Sequence, residues 1–525
     1  MSEFIDYGNY DFRSVRNSDF VDKSDLLNFL NARIDSPNKY ICVSRPRRFG
    51  KSVAAQMAYA YYDRSSKSDE LFAGLEITKS PDYKKHLNKY PIIYIDWNRF
   101  ATYKPETIVK DAQKDIVADL KRSYDFLQEK ESLSKALAEI NDKTGDRFIL
   151  IIDEWDMLVS DDEAPVREEY VNFLRAMFKS NIANKLFLLV YMTGILPIIK
   201  YRTQSALNNF TECSVLDPGV TDKYYGFTKD EVKALCKKYK RSFPKMQHAY
   251  DGYIIGKEKS MFNPNSVMKS LERGTYNSFW GKTALYSTIE YYIKYDTEKL
   301  KPLITKMLNG ERVLVNITKF RNDMHSIGDY NDVLTLLAHL GYLSYDPKTK
   351  TVGIPNTEVA EEFENSLSDC DWGYLSMALA KSRQLLQATI EKDKRYIAKA
   401  IAEYHREATS FWEFNDEKSM ACAIKLAYYS AIGEYEIFRE FPTGKGFADM
   451  VFVPIPGSVF PAIVVELKCD KSAKGAIDQI KRKEYPKKLQ RFSREIVLLG
   501  INYDKDAPDI KYEVELEGVK RDKTK

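Results

Sequence analysis

The stretch Ile41-Cys42-Val43-Ser44-Arg45-Pro46-Arg47-Arg48-Phe49-Gly50-Lys51-Ser52 decides how the first part of this chain is read. An apolar run breaks into a Gly-Lys-Ser turn, and a helix-forming segment, Val53-Ala54-Ala55-Gln56-Met57-Ala58, follows. Strand, loop and helix in that order aim backbone N–H groups and a helix N-terminus at an anion, which suits a nucleoside triphosphate. In the pattern GxxxxGK[ST] the lysine reaches the β- and γ-phosphates and the hydroxyl ligates Mg²⁺, roles that fall here to Lys51 and Ser52. Arg48 and Gly50 belong to the same expected ATP site. Arg45 stands where the pattern has its first glycine, so the turn falls to Pro46 and a less permissive backbone. Taken alone, the tripeptide also suits a basic loop that holds no ligand.

A second stretch bears on that choice. Phe148-Ile149-Leu150-Ile151-Ile152-Asp153-Glu154 is too short for a membrane and ends in two carboxylates, as a buried parallel strand would. Asp153 is placed to hold the Mg²⁺ shell and Glu154 to polarise an attacking water. Strands expected at 40 to 44, 91 to 96 and 148 to 152, with a long helical stretch from Pro105 to Ile140, give an α/β fold with a mainly parallel P-loop NTPase sheet. A fourth strand, Leu186 to Gly194, ends at Thr193, whose hydroxyl either reads the γ-phosphate or opens a turn. Ser24 or Asp25 is expected to cap a helix with Leu26, Leu27 and Leu30 on its apolar face.

At 525 residues the chain is too long for one core and length alone suggests three or four domains. With 44% hydrophobic and 30% charged residues the composition is that of an ordinary globular protein. No apolar run reaches the length that crosses a bilayer, and Met1-Ser2-Glu3-Phe4-Ile5-Asp6 does not resemble a signal peptide, so a cytoplasmic protein with no membrane partner is expected. Six scattered cysteines without a CxxC pair and five histidines suggest neither a zinc site nor a disulfide framework. A net charge of +4 is too small to argue for nucleic acid, so that argument must come from a site.

The Arg45-Pro46-Arg47-Arg48-Phe49-Gly50-Lys51-Ser52 loop, the Ile151-Ile152-Asp153-Glu154 strand, Thr193-Gly194-Ile195 and Ser205-Ala206-Leu207-Asn208-Asn209 together resemble the bacterial AAA-ATPase-like family. Its usual phosphate loop reads RPRRFGKS, so Arg45 is normal there. The resemblance spans roughly residues 5 to 215. It implies an AAA-related P-loop fold and, commonly, a nuclease-like domain at the far C-terminus. Rings are frequent among AAA-like ATPases, so a homo-oligomer is a further implication, with Arg175 and Arg202 as candidate arginine fingers or plain surface residues.

Between the expected ATPase domain at 1–215 and residue 408 the chain reads as a helical lid followed either by a winged-helix-like region, by analogy with other AAA-type proteins, or by a plain helical domain with one hairpin. Thr228 looks like an N-cap; Asp332 to Leu340 reads as a helix, followed by a hairpin turning at Asp346-Pro347-Lys348-Thr349. His339 is read as a packed or surface histidine.

Beyond residue 409 the pattern changes. Gly446 to Val453 puts Asp449 on an apolar strand, and Ala462 to Lys468 puts Glu466 and Lys468 two apart on the next. Residues two apart share a strand face, and a charged pair on an apolar strand is costly unless it meets a partner or a metal. Asp449 and Glu466 would hold Mg²⁺ or Mn²⁺, with the Leu467 carbonyl as a further ligand, while Lys468 positions or deprotonates the attacking water. This looks like the PD-(D/E)xK nuclease superfamily, with Ala448 in place of the usual proline. Gln479 would lie near the metal site. In recombination-type nucleases a tyrosine follows four after that glutamine, where this chain has Lys483, with Tyr485 two further on. Glu417 is a further acidic candidate or a surface residue. The function expected is an ATP-dependent protein with a nuclease acting on DNA. The alternative is a nucleotide-dependent switch whose nuclease-like domain recognises nucleic acid without cutting.

Overall fold

The computed structural model describes residues 4–5, 8–127, 132–159, 164–198, 207–280, 297–308, 310–320, 329–368, 373–408, 424, 427–428, 431, 435–442, 447–455, 460–485, 489–490, 492–493, 495–504 and 512–520. The chain divides into two compact units. One comprises Met1–Arg241, Tyr250–Thr275 and Arg312–Pro355; the other comprises Ser242–Ala249, Tyr276–Glu311 and Asn356–Lys525.

In the first unit β1 (Tyr40–Ser44), β2 (Ile92–Asp96), β3 (Phe148–Asp153), β4 (Phe187–Gly194) and β5 (Thr211–Cys213) form a parallel sheet of order β2-β3-β4-β1-β5. Both faces are covered, which is why these strands read as continuous apolar runs without alternation. The helix Lys51–Tyr62 packs Ala55 and Ala58 against Ile41, Ile151 and Tyr191 on one face. Ile116, Leu120, Leu137 and Ile140 pack with Leu150, Ile152 and Val190 on the other. β4 lies between β1 and β3, with Ser44 beside Gly194, and Asp153 beside Asp96 of β2, so the strand ends form one row.

The helical stretch expected from Pro105 to Ile140 is a short 3-10 turn, Pro105–Thr107, and two helices, Ile108–Ser123 and Leu133–Thr144. The first helix stops before Tyr124, whose hydroxyl donates to Asp146 (2.7 Å) and accepts from Arg64 (2.9 Å), a tertiary anchor that helical periodicity does not encode. Near the N-terminus the helix is Leu26–Asn31 with Asp25 at its N-cap position, but neither expected side chain caps it. The Ser24 hydroxyl instead accepts from the Ile77 N–H, and Asp25 accepts from Asn28. At Thr228 the expected cap is present, as a reciprocal box with Glu231 at the start of Lys229–Tyr239.

β6 (Phe227–Thr228), β7 (Tyr253–Ile255) and β8 (Glu258–Phe262) form a small sheet of order β6-β8-β7. A third sheet, of order β10-β11-β9, joins β9 (Val313–Leu314) to the hairpin β10 (Ser344–Asp346) and β11 (Thr351–Gly353). The helix Tyr330–Leu340 precedes that hairpin and ends at Gly341 in the left-handed conformation. His339 is buried on this helix, stacked on Phe320, and burial lowers its pKa to about 3.

In the second unit β12 (Tyr435–Pro442), β13 (Phe447–Pro454), β14 (Ala462–Cys469), β15 (Glu495–Tyr503) and β16 (Tyr512–Lys520) form a mixed sheet in that order. Only β14 and β15 are parallel, and the helix Ala473–Arg482 makes the crossover between them. Gly500 on β15 pairs with Glu466, and a Cβ there would lie 2.4 Å from the Ala473 carbonyl oxygen. The helix is therefore seated on the sheet at the position where a side chain is missing. Gly500→Ala must push backbone away and is expected to destabilise this unit by about 1–3 kcal/mol. Urea unfolding followed by far-ultraviolet circular dichroism measures it, and an unchanged midpoint would contradict this close seating.

Candidate functional sites

In the first unit the sharp turn between β1 and its helix uses left-handed backbone at Arg48 (φ 67°) and Gly50 (φ 87°). Arg45 takes no such conformation, so no glycine is needed where the common pattern has one. Its side chain is fully buried. The guanidinium donates to the carbonyls of Ser44 (2.9 Å), Cys213 (2.8 Å) and Thr221 (3.1 Å) and to the Thr221 hydroxyl (2.8 Å), and it lies over Tyr225. Arg45 thus ties the loop to β5 and to the segment after it. Phe49 is buried edge-on against Tyr253, and its carbonyl accepts from the N–H of Gly226 (3.0 Å). Arg47 and Arg48 are exposed, and Ser52 is half-buried at the second position of the helix.

Lys51 is buried, with its ammonium 3.2 Å from the Pro46 carbonyl and 4.0 Å from the Glu154 carboxylate. Glu154 itself sits at φ 52°, just beyond the end of β3. Burial, only partly offset by Lys51 and reinforced by Asp156 and Asp153, raises its pKa to about 7. Asp153 is buried, accepts from the Thr193 hydroxyl at one oxygen and from the Tyr94 hydroxyl at the other (3.4 Å). Glu154, Asp153, Thr193 and Lys51 are therefore brought to one end of the sheet.

Sequence reasoning passed over Asp156. This buried carboxylate accepts from the N–H groups of Ile195 (3.0 Å) and Leu196 (2.7 Å) and so holds the backbone that leaves β4. A Cβ on Gly194 would come within 2.5 Å of Asp156 and of Trp155, so this glycine answers a close approach. The signal was a third acid in Asp153-Glu154-Trp155-Asp156, but nothing in the spacing told it from a surface residue. Arg175 is half-buried near Asn172, whereas Arg202 lies outside the described residues.

In the second unit Asp449, Glu466 and Lys468 meet across β13 and β14. Asp449 accepts from the Leu467 N–H (2.7 Å). The Lys468 ammonium donates to Glu466 Oε1 (2.9 Å) and to the Leu467 carbonyl (3.1 Å), and the Gln479 amide also donates to Glu466 Oε1. Glu466 is 1% exposed, and its Oε2 is buried with no hydrogen-bond partner among the described residues. Burial, together with the nearby Asp449 charge, raises its pKa against the pull of Lys468. An orphaned carboxylate oxygen beside a second acid, in an all-oxygen donor set, fits a hard divalent cation such as Mg²⁺ or Mn²⁺. No group of three His, Cys, Asp or Glu side chains is gathered at metal-holding distance among the described residues, and the Leu467 carbonyl and water are further oxygen donors that would suit such an ion. Tyr485 is fully buried and donates to the Phe447 carbonyl (2.5 Å), bracing the start of β13. Glu417 lies outside the described residues.

Among the described residues no helix is long and apolar enough to cross a membrane. Residues 6–203 match the family described as "Predicted AAA-ATPase", and residues 415–513 match the PD-(D/E)XK nuclease superfamily. An uncharacterized protein from the vnfD 5′ region of Azotobacter chroococcum mcd 1 is 21% identical over 539 residues, covering 95% of this chain and 96% of that protein. Among solved structures, the Aeropyrum pernix ORC2 protein in its ADPNP–ADP complexes aligns with 68% of this chain and 98% of its own at 11% identity, with a TM-score of 0.31. Residues 6–203, which hold the parallel sheet except its edge strand β5, thus match the predicted AAA-ATPase family, and residues 415–513, which hold most of the mixed sheet, match the PD-(D/E)XK nuclease superfamily.

Proposed function

We propose that this protein binds and hydrolyses ATP in its first domain and cuts DNA in its last, with residues 1–215 as the ATPase, 216–408 as lid and winged-helix-like region and 409–525 as the nuclease. The observation that carries the reading is the pairing, in each domain, of an acid with a lysine ammonium: half-buried Glu154, just past the end of β3, 4.0 Å from Lys51, and buried Glu466, within β14, 2.9 Å from Lys468. When bound, a divalent cation supplies positive charge against phosphate oxygens as they gain negative charge.

In the ATPase domain Arg48, Gly50 and Lys51 bind the phosphates, Lys51 exchanging its Pro46 carbonyl for phosphate oxygen. Ser52 and Asp153 would hold Mg²⁺, and Thr193 orients Asp153 and would read the γ-phosphate with its hydroxyl. Glu154, with a pKa of about 7, is suited to take a proton from the attacking water near neutral pH. In the nuclease domain Asp449 and Glu466 would hold Mg²⁺ or Mn²⁺, and Lys468 orients the water that attacks the phosphodiester. A homo-oligomer and a cytoplasmic location complete the proposal.

Lys51→Ala is expected to abolish ATP binding measured by titration calorimetry. Glu154→Gln is expected to keep binding and lower turnover about 10²–10⁴-fold. Equal turnover in wild type and Glu154→Gln would remove Glu154 as the base. For the second domain, Lys468→Ala is expected to abolish cleavage of plasmid DNA in Mg²⁺ or Mn²⁺, with the ATP response of the wild type reporting coupling. Intact plasmid and intact single-stranded circular DNA with the wild type under both metals would leave a nucleotide-dependent binding protein as the reading.

Glu154 also sets a pH dependence of stability. Its folded pKa of about 7 lies above the ordinary 4.5, so its contribution is whole below about pH 4.5 and is lost as pH rises through about 7. The loss is at most about 3 kcal/mol. In nucleotide-free protein, Glu154→Gln should flatten the urea midpoint of the first unit across that window; parallel wild-type and variant profiles would contradict it.

A further inference from the structure

Tyr485 organises more than one strand end. Its hydroxyl holds the Phe447 carbonyl at 2.5 Å, and its ring lies 5.8 Å from the Lys483 ammonium. Phe447 is 61% exposed although its backbone is fixed, and it stands two residues before Asp449 on β13. On the neighbouring β12, Phe438 and Phe441 lie edge to face at 5.5 Å, and Pro442 is the strand partner of Phe447. Lys483 follows Gln479 by four residues, one helical turn beyond the side chain that touches Glu466, and its positive charge bears on the Glu466 carboxylate. It closes a run of three cations, Lys481, Arg482 and Lys483.

A ring held in water by a fixed backbone loses little entropy when a flat partner stacks on it, and a nearby ammonium suits a phosphate linked to that partner. In duplex DNA the faces of the bases are occupied by their neighbours, so a protein ring stacks only on a base that is unpaired or turned out. We propose that Phe447 and Lys483 form the substrate rim of the nuclease domain and select single-stranded nucleic acid, Phe447 stacking on a base and Lys483 holding a phosphate beside the scissile one. This rests on the reading of the second domain as one that acts on nucleic acid. It adds the strandedness of the substrate and two binding residues outside the Asp449, Glu466 and Lys468 set.

The test is fluorescence anisotropy of a labelled oligonucleotide, single-stranded and as its own duplex, with the full chain in Ca²⁺ in place of Mg²⁺ and over a series of salt concentrations. Wild type is expected to bind the single strand more tightly. Phe447→Leu should weaken single-strand binding roughly 5- to 100-fold and duplex binding little, and Phe447→Trp should restore it. Lys483→Met, which keeps the stem against Tyr485, should lower the slope of log K against log salt by about 0.7. A purely structural lysine would leave that slope unchanged. Equal binding of both oligonucleotides, or variants that match the wild type, would overturn the rim while leaving the nuclease reading in place. A wild type that binds neither oligonucleotide would overturn both.

Discussion

A carboxylate buried on an apolar strand has lost its water, and the surroundings of Asp153 and of Glu466 are built to replace it. Asp153 takes hydroxyls from Thr193 and Tyr94; Glu466 takes an ammonium from Lys468 and an amide from Gln479. The replacement is incomplete at Glu466, where one oxygen has no partner among the described residues, and at Glu154, whose pKa rises to about 7 because burial outweighs Lys51 at 4.0 Å. A buried acid left short of partners costs stability unless a cation or a proton completes it. Asp119, by contrast, accepts from two backbone N–H groups and pairs with Arg122.

Around each site a glycine on a neighbouring strand permits a close approach. On β4, Gly194 lets Trp155 and Asp156 approach within a distance that any side chain would forbid, and Asp156 then fixes the chain leaving the strand. On β15, Gly500 does the same for the helix that carries Gln479 to Glu466. In both cases a missing Cβ on a neighbouring strand sets the position of the element that serves the acid.

The parallel sheet, the phosphate loop and both acid-bearing strands were legible in the sequence because each depends on local order: apolar runs ending in charge, and a turn before a helix. Thr228 was legible for the same reason, since a capping box closes within four residues. What could not be read depends on partners distant in the chain. Arg45 occupies a glycine position of the common pattern, and only the carbonyls of Cys213 and Thr221 explain its side chain. Asp156, Gly500 and Tyr485 each act on backbone groups that no spacing rule connects to them. Ser24 shows the converse, a plausible local cap drawn away by the N–H of Ile77.

The two lysines clarify how a buried site can be both stable and receptive. Lys51 rests on the Pro46 carbonyl and Lys468 on the Leu467 carbonyl, so each ammonium has a neutral acceptor within its own loop or strand besides its carboxylate. A neutral carbonyl binds an ammonium less strongly than a charged oxygen does. On the proposed reading an incoming phosphate would gain by displacing the carbonyl, while the carboxylate contact keeps the ammonium in place. Removing the carboxylate would leave the lysine held only by the weaker partner, and removing the lysine would leave a buried acid with its charge uncompensated. Each site thus keeps its charges paired in a resting arrangement that a ligand can improve on, which is the condition for holding them ready in the interior.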